Sequence, residues 1–231
     1  MLMSERQIRI FEVILVCLIA FGGAFLNSTY SYFHPDYGSS GRNAFSWLLQ
    51  SFREICVLGL VWYVLLRQKK SFFDLGFTWS RKDIGWGILL SVAGYLAFHA
   101  VSDSIYYCGL TPASHHATVE HVNQILFGGG IFFTTILFQF INPFFEELIV
   151  RAYFMTEIKA LTGNVGKAIL ASTLLQASYH LYQGAPAAFG HFAEFLIFSI
   201  YYAKTNRIAP VILAHLYSDV GGTLFYWMKH H

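Results

Sequence analysis

Stretches of about twenty residues, each almost free of charge, recur along the whole chain. They lie roughly at 9–28, 45–66, 84–107, 124–141 continuing into 143–160, 164–182, 187–203 and 208–228. A helix needs ~20 mostly apolar residues to cross the hydrocarbon core of a bilayer. Inside that core the backbone must satisfy its own hydrogen bonds. The expected fold is therefore all-α: a polytopic transmembrane helix bundle of about seven spans. Composition points the same way. Only 12% of the 231 residues are charged, against roughly 25% in a soluble domain, and mean hydropathy is +0.49. The chain reads as an integral, multi-pass membrane protein with lipid as its main surroundings. A net charge of +2 is too small to suggest a nucleic-acid partner.

The basic start (Arg6, Arg9) followed by an apolar run from Ile10 to Leu26 has no small-residue cleavage pattern after it, so it reads as an uncleaved first span. Cys17, Cys56 and Cys108 are scattered in apolar runs and read as small packing residues rather than a disulfide or metal framework. No repeat or linker divides residues 1–231, so a single membrane domain is expected. Arg53 and Glu54 fall inside the second run, where they could sit near an interface, snorkel or face the bundle. The stretch 123–161 is too long for one straight span, and Asn142–Pro143 fits a cap followed by the first turn of a new helix.

Lys and Arg sort by loop. Arg67, Lys69, Lys70, Arg81 and Lys82 crowd the connection after the second span, Lys159 and Lys167 flank another, and Lys204 and Arg207 flank the last. The loops around 108–123 and 183–186 contain neither residue. The positive-inside rule then places the N-terminus and the 67–83 loop in the cytoplasm and the C-terminus outside. The aromatic residues Phe72, Phe73, Phe77 and Trp79 in that basic loop fit either an inner-interface segment or a plain inside loop.

Against this background the segment N-P-F-F-E-E-L-I-V-R-A-Y, 142–153, stands out. Glu146 lies thirteen residues from Lys159, a depth of ~20 Å on a straight helix. His180 lies thirteen residues beyond Lys167, again ~20 Å, and His215 eight beyond Arg207, ~12 Å. Ionisable groups at such depth usually face a polar intramembrane cavity and are functional candidates. Glu147 and Arg151 are four apart and share a helix face, so they are expected to form a structural ion pair. Glu146 points about 100° away and is the carboxylate left for chemistry. His215 and Asp219 share a face of the last span for the same reason.

Two chemistries use these residue types. A buried carboxylate near an imidazole can share a proton and activate water, while a second imidazole with a polar neighbour stabilises the oxyanion formed on an amide. Alternatively, Glu146, His180 and His215 with Asp219 could hold a divalent metal such as zinc with one position open to water. The H-E-x-x-H zinc-protease signature is absent from the sequence, so the metal alternative rests on ligand types alone. Both routes lead to hydrolysis.

The ordered set E-E-L-I-V-R (146–151), His180 and H-L-Y-S-D (215–219), with D-L-G-F at 74–77, is similar to the CPBP family over about residues 72–220. That family comprises CAAX prenyl endopeptidases of the Ras-converting type and bacteriocin-processing or Abi-type membrane proteins. Its pattern is E-E-x-x-x-R, then F-x-x-x-H, then H-x-x-x-N or H-x-x-x-D. The resemblance implies an intramembrane endopeptidase in which Glu146 and His180 activate water and His215 and Asp219 support the oxyanion. It implies a prenylated or membrane-associated protein or peptide as substrate; if the source is a prokaryote, the membrane is the plasma membrane. Three positions depart from the pattern: Gln176 replaces the usual Phe, Ala152 the frequent Gly after the Arg, and Asp219 the commoner Asn. An ionised Asp cannot donate to an oxyanion, so Asp219 must be protonated, orient His215 or bind metal.

Other readings use the same residues. A non-catalytic immunity or scaffold protein could retain the fold, but it would have no need of every polar position. A proton-coupled transporter could use Glu146 and the histidines as a relay, although such proteins commonly break spans in both halves. His191 and Glu194 read as packing residues on the sixth span, His115, His116 and His121 as a solvated outer loop, and Lys229, His230 and His231 as a polar tail. The many Phe and Tyr read as lipid-facing and interfacial.

Overall fold

Helices begin where a short polar side chain can close their first free amides. Ser4 accepts from the Gln7 amide in a reciprocal capping box, Asn43 accepts from Ser46 at 2.9 Å, and Asn164 accepts from Lys167 at 3.0 Å. The computed structural model describes residues 4–34, 42–110, 126 and 131–230. Its helices are α1 (Glu5–Phe33), α2 (Ala44–Arg67), α3 (Lys82–Tyr107) and α4 (Phe133–Thr162), followed by α5 (Val165–Ser178), α6 (Ala185–Thr205) and α7 (Ala209–His230). No strand occurs among the described residues. His115, His116 and His121, most of the 108–123 loop, and the side chains from Lys229 onward lie outside the described set.

The fold is the expected all-α bundle, and α1 to α4 are each long and apolar enough to cross a membrane. Their outer faces carry exposed Phe11, Leu26, Phe52, Trp62 and Leu96, the arrangement of side chains that face lipid rather than water. The inner faces meet on α4, whose segment from Phe145 to Tyr153 is buried at every position.

Two expectations need correction. First, α4 does not break at Asn142–Pro143: the α-helix runs from Phe133 through Pro143 to Glu147. It then widens into π-helical turns over Leu148–Met155 and narrows again at Thr156–Thr162. A proline inside a membrane helix is tolerated when neighbouring helices and local π adjustment accommodate the freed backbone, so the irregularity lies one turn beyond Pro143. Second, 164–182 is not one continuous helix. α5 ends at Ser178, and a 3-10 turn at Leu181–Gln183 precedes α6. Fourteen residues span about 21 Å, short of the ~30 Å hydrocarbon core. His180 therefore sits in a turn after the helix rather than midway along one.

That turn is held from another element: the Tyr182 amide donates to Ser28 Oγ of α1 at 2.9 Å. A second π-turn, at Leu18–Gly22 of α1, carries buried Phe21 onto Tyr179 (ring centroids 5.0 Å apart, parallel) and Phe145 (5.4 Å).

The charged end of the bundle is tied as a unit. Glu157 of α4 pairs with Arg9 of α1 at 2.7 Å and Lys70 at 3.4 Å, and Glu12 pairs with Arg67. Asp83 pairs with Arg207 at 2.8 Å. The D-L-G-F segment joins this end: Leu75 O accepts from Tyr202 Oη and Gly76 O from the Ile208 amide. Gly76 has φ +81°, and a Cβ there would fall 1.8 Å from Asn206 O. Only glycine meets both demands. Four of the Lys and Arg that the sequence places on one side, Arg9, Arg67, Lys70 and Arg207, thus form ion pairs at one end of the helices.

Candidate active site

Around the point where α4 passes from α-helix to π-helix, three ionisable side chains face the bundle interior: Glu146 and Glu147 end the α-helical part and Arg151 lies in the π-helical turns. Glu147 and Arg151 have no exposed side-chain surface, and Glu146 is 8% exposed. π segments are rare and concentrate at functional sites.

The expected pair forms, with Arg151 Nη1 donating to Glu147 Oε1 at 3.0 Å. The same oxygen also accepts from His215 Nδ1 of α7 at 2.8 Å and lies 3.3 Å from Gln176 Nε2 of α5. Glu147 is therefore a junction joining three helices rather than half of a two-residue pair. Arg151 also lies over the Phe195 ring of α6, 4.9 Å from its centroid, a desolvated cation–π contact.

Glu146 has neutral partners. Its Oε2 accepts from Gln176 Nε2 at 2.7 Å and from Tyr179 Oη at 2.8 Å, and no described residue donates to Oε1.

The histidines are oriented by what their Nδ1 atoms touch. His180 Nδ1 lies 2.8 Å from the Gln176 carbonyl. A carbonyl only accepts, so Nδ1 carries the proton and Nε2 keeps the lone pair. His215 Nδ1 donates to the Glu147 carboxylate, so its Nε2 is the atom that faces Asp219, 3.7 Å away. That distance is outside direct hydrogen-bond range. Phe195 lies between the rings, with centroids 5.3 Å from His180 and 6.2 Å from His215.

Two further ionisable groups lie near the site, His191 and Glu54. His191, read from sequence as packing, lies 4.5 Å from His180 ring to ring and bridges Glu194 Oε2 at 3.1 Å and Gln183 Oε1 at 3.0 Å. Glu54, left open by the sequence, is fully buried on α2, and Gln50 Nε2 donates to it at 3.1 Å. Gln176 and Tyr179 gave little signal. A glutamine in an apolar run one turn before His180 was the available hint.

The buried atoms Glu147 Oε2, Arg151 Nε and Nη2, and Gln176 Oε1 have no hydrogen-bond partner among the described residues.

Among the described residues no three His, Cys, Asp or Glu side chains are placed to share an ion. Nδ1 of His180 and of His215 is engaged within the bundle. Among the described residues that leaves Nε2 as the free ring atom of each histidine.

The fold and site define an apolar helical bundle in which α4 carries the buried carboxylates and the buried cation, and the histidines come from the turn after α5 and from α7. Residues 128–221 match the model of a family described as type II CAAX prenyl endopeptidase Rce1-like. That segment contains Glu146, Glu147, Arg151, His180, His215 and Asp219 and supports a protease embedded in the membrane. No curated protein and no solved structure matches the chain.

Proposed function

We propose that this protein is a multi-pass intramembrane endopeptidase that cleaves a prenylated or otherwise membrane-associated protein or peptide with water activated by Glu146 and His180. The observation that carries this reading is the contrast between adjacent carboxylates. Glu147 is bound to Arg151 and His215, while among the described residues Glu146 has only neutral partners and one oxygen without a donor.

Glu146 takes a proton from water as the hydroxide attacks the scissile carbonyl, and His180 Nε2 accepts a hydrogen bond from that water. The tetrahedral oxyanion develops on the side of His215 Nε2 and Asp219, where a proton on either group is donated to it. The proton held by Glu146 then passes to the leaving amine, and the C–N bond breaks. Glu147 and Arg151 keep His215 in place. The substrate enters from the bilayer, and the basic 67–83 end faces the cytoplasm, at the plasma membrane in a prokaryote.

The test uses purified protein in lipid nanodiscs with a farnesylated peptide ending in C-a-a-X, its unprenylated twin and an unrelated transmembrane peptide. Mass spectrometry locates any cut. Cleavage near the C-a-a-X end that requires the prenyl group supports the CAAX reading. Cleavage of the transmembrane peptide alone moves the substrate class, and cleavage of none removes the proposal.

A further inference from the structure

We infer that Gln176 is a positioning residue that, with Tyr179, holds Glu146 in one orientation and so directs proton transfer to a single oxygen. This rests on the endopeptidase reading above and adds a role for two side chains outside the motif residues.

Gln176 is fully buried on α5 and touches three parts of the site. Its Nε2 lies 2.7 Å from Glu146 Oε2 and 3.3 Å from Glu147 Oε1, and its backbone carbonyl fixes His180 Nδ1 at 2.8 Å. A primary amide has two N–H bonds, one for each carboxylate, so a single group spans the adjacent glutamates. Tyr179 Oη places a second donor on the same Glu146 oxygen at 2.8 Å. Oε2 is thus capped twice, while Oε1 accepts from no described residue. A carboxylate fastened at one oxygen cannot turn, and the proton taken from water goes to the other.

If Gln176 were present only to satisfy itself, its own acceptor would be paired. Its Oε1 has no partner among the described residues. The amide serves as a donor to its neighbours, at the expense of its own oxygen. The Phe that the family pattern places here offers no such donor, so this arrangement belongs to this chain rather than to the motif.

Gln176→Met keeps the length of the side chain and removes both N–H donors, and Tyr179→Phe keeps the ring and removes one O–H. With a cleavable peptide in nanodiscs, each variant is compared with wild type for kcat, KM and thermal midpoint. Misplacing a reacting group by about 1 Å can cost about 100-fold in rate, so a loss of about 10–100-fold is the scale to look for. Gln176→Met is expected to lose kcat in that range, with KM held within about threefold, because the substrate does not touch Gln176. Tyr179→Phe is expected to follow the same pattern with a smaller loss. Wild-type kcat in both variants overturns the inference, as does a kcat loss matched by KM or explained by a lower folded fraction. Glu146→Gln runs alongside. If it cleaves as wild type does, or wild type does not cleave at all, the endopeptidase reading fails and the inference falls with it. If only Glu146→Gln is inactive, positioning by Gln176 and Tyr179 alone is refuted.

Discussion

His215 Nδ1 donates to Glu147 Oε1 across 2.8 Å, joining α7 to the oxygen that also receives Arg151. The second glutamate of the pair therefore holds both the buried Arg151 charge and the His215 ring. Glu147→Ala leaves Arg151 as an uncompensated buried cation and should destabilise the fold by about 3–5 kcal/mol. Arg151→Ala should do the same by stranding the carboxylate. Thermal unfolding in nanodiscs measures this, and wild-type midpoints in both variants would refute the junction.

How much of this was legible in the sequence depends on whether partners share a helix. The Glu147–Arg151 contact follows from four-residue spacing and appears as expected. The Glu147–His215 contact joins positions 68 residues apart, and no periodicity reports which face of α7 meets α4. Pro143 misled because its ordinary preference is for a helix start, while here the surrounding helices let it sit within α4. The depth estimate for His180 assumed a continuous helix, whereas α5 stops at Ser178. The role of Gln176 was hidden for a similar reason. A departure from a motif shows that something differs, but only the packing of α5 against α4 shows that its amide reaches two carboxylates.

Gly76→Ala should destabilise the charged end of the bundle. The positive φ alone costs about 1–3 kcal/mol for a residue with a Cβ, and the added carbon would overlap Asn206 O. Urea or thermal unfolding with a tryptophan readout is expected to show a loss at the upper end of that range. A neutral substitution would mean that the D-L-G-F segment does not dock on the α6–α7 turn.

Topology predicts opposite labelling of two loops. In a background lacking the three native cysteines, Lys69→Cys should react only from the cytoplasmic side and Gly109→Cys only from outside, using membrane-impermeant maleimide on sealed vesicles. Reaction of both from one side would contradict the orientation read from the positive residues.

Asp219 separates the two ways of handling the oxyanion. If it donates a hydrogen bond, Asp219→Asn retains or raises activity and extends it toward alkaline pH, because an amide donates at every pH and a carboxyl group only when protonated. If it binds metal, the neutral amide is the poorer ligand, and activity falls and responds to added divalent ion. The arrangement at His215 favours the first outcome, and rate–pH profiles with and without chelator distinguish them.

Glu146 carries the central claim. Glu146→Gln keeps the size of the side chain but removes its capacity to take a proton from water, so the variant should fold and insert as wild type does. Loss of general-base function lowers rates by about 10²–10⁴-fold, and the decisive quantity is kcat for the peptide cleaved by the wild-type protein. A fall of that size with an unchanged thermal midpoint is the predicted result. Undiminished kcat in Glu146→Gln would contradict the account.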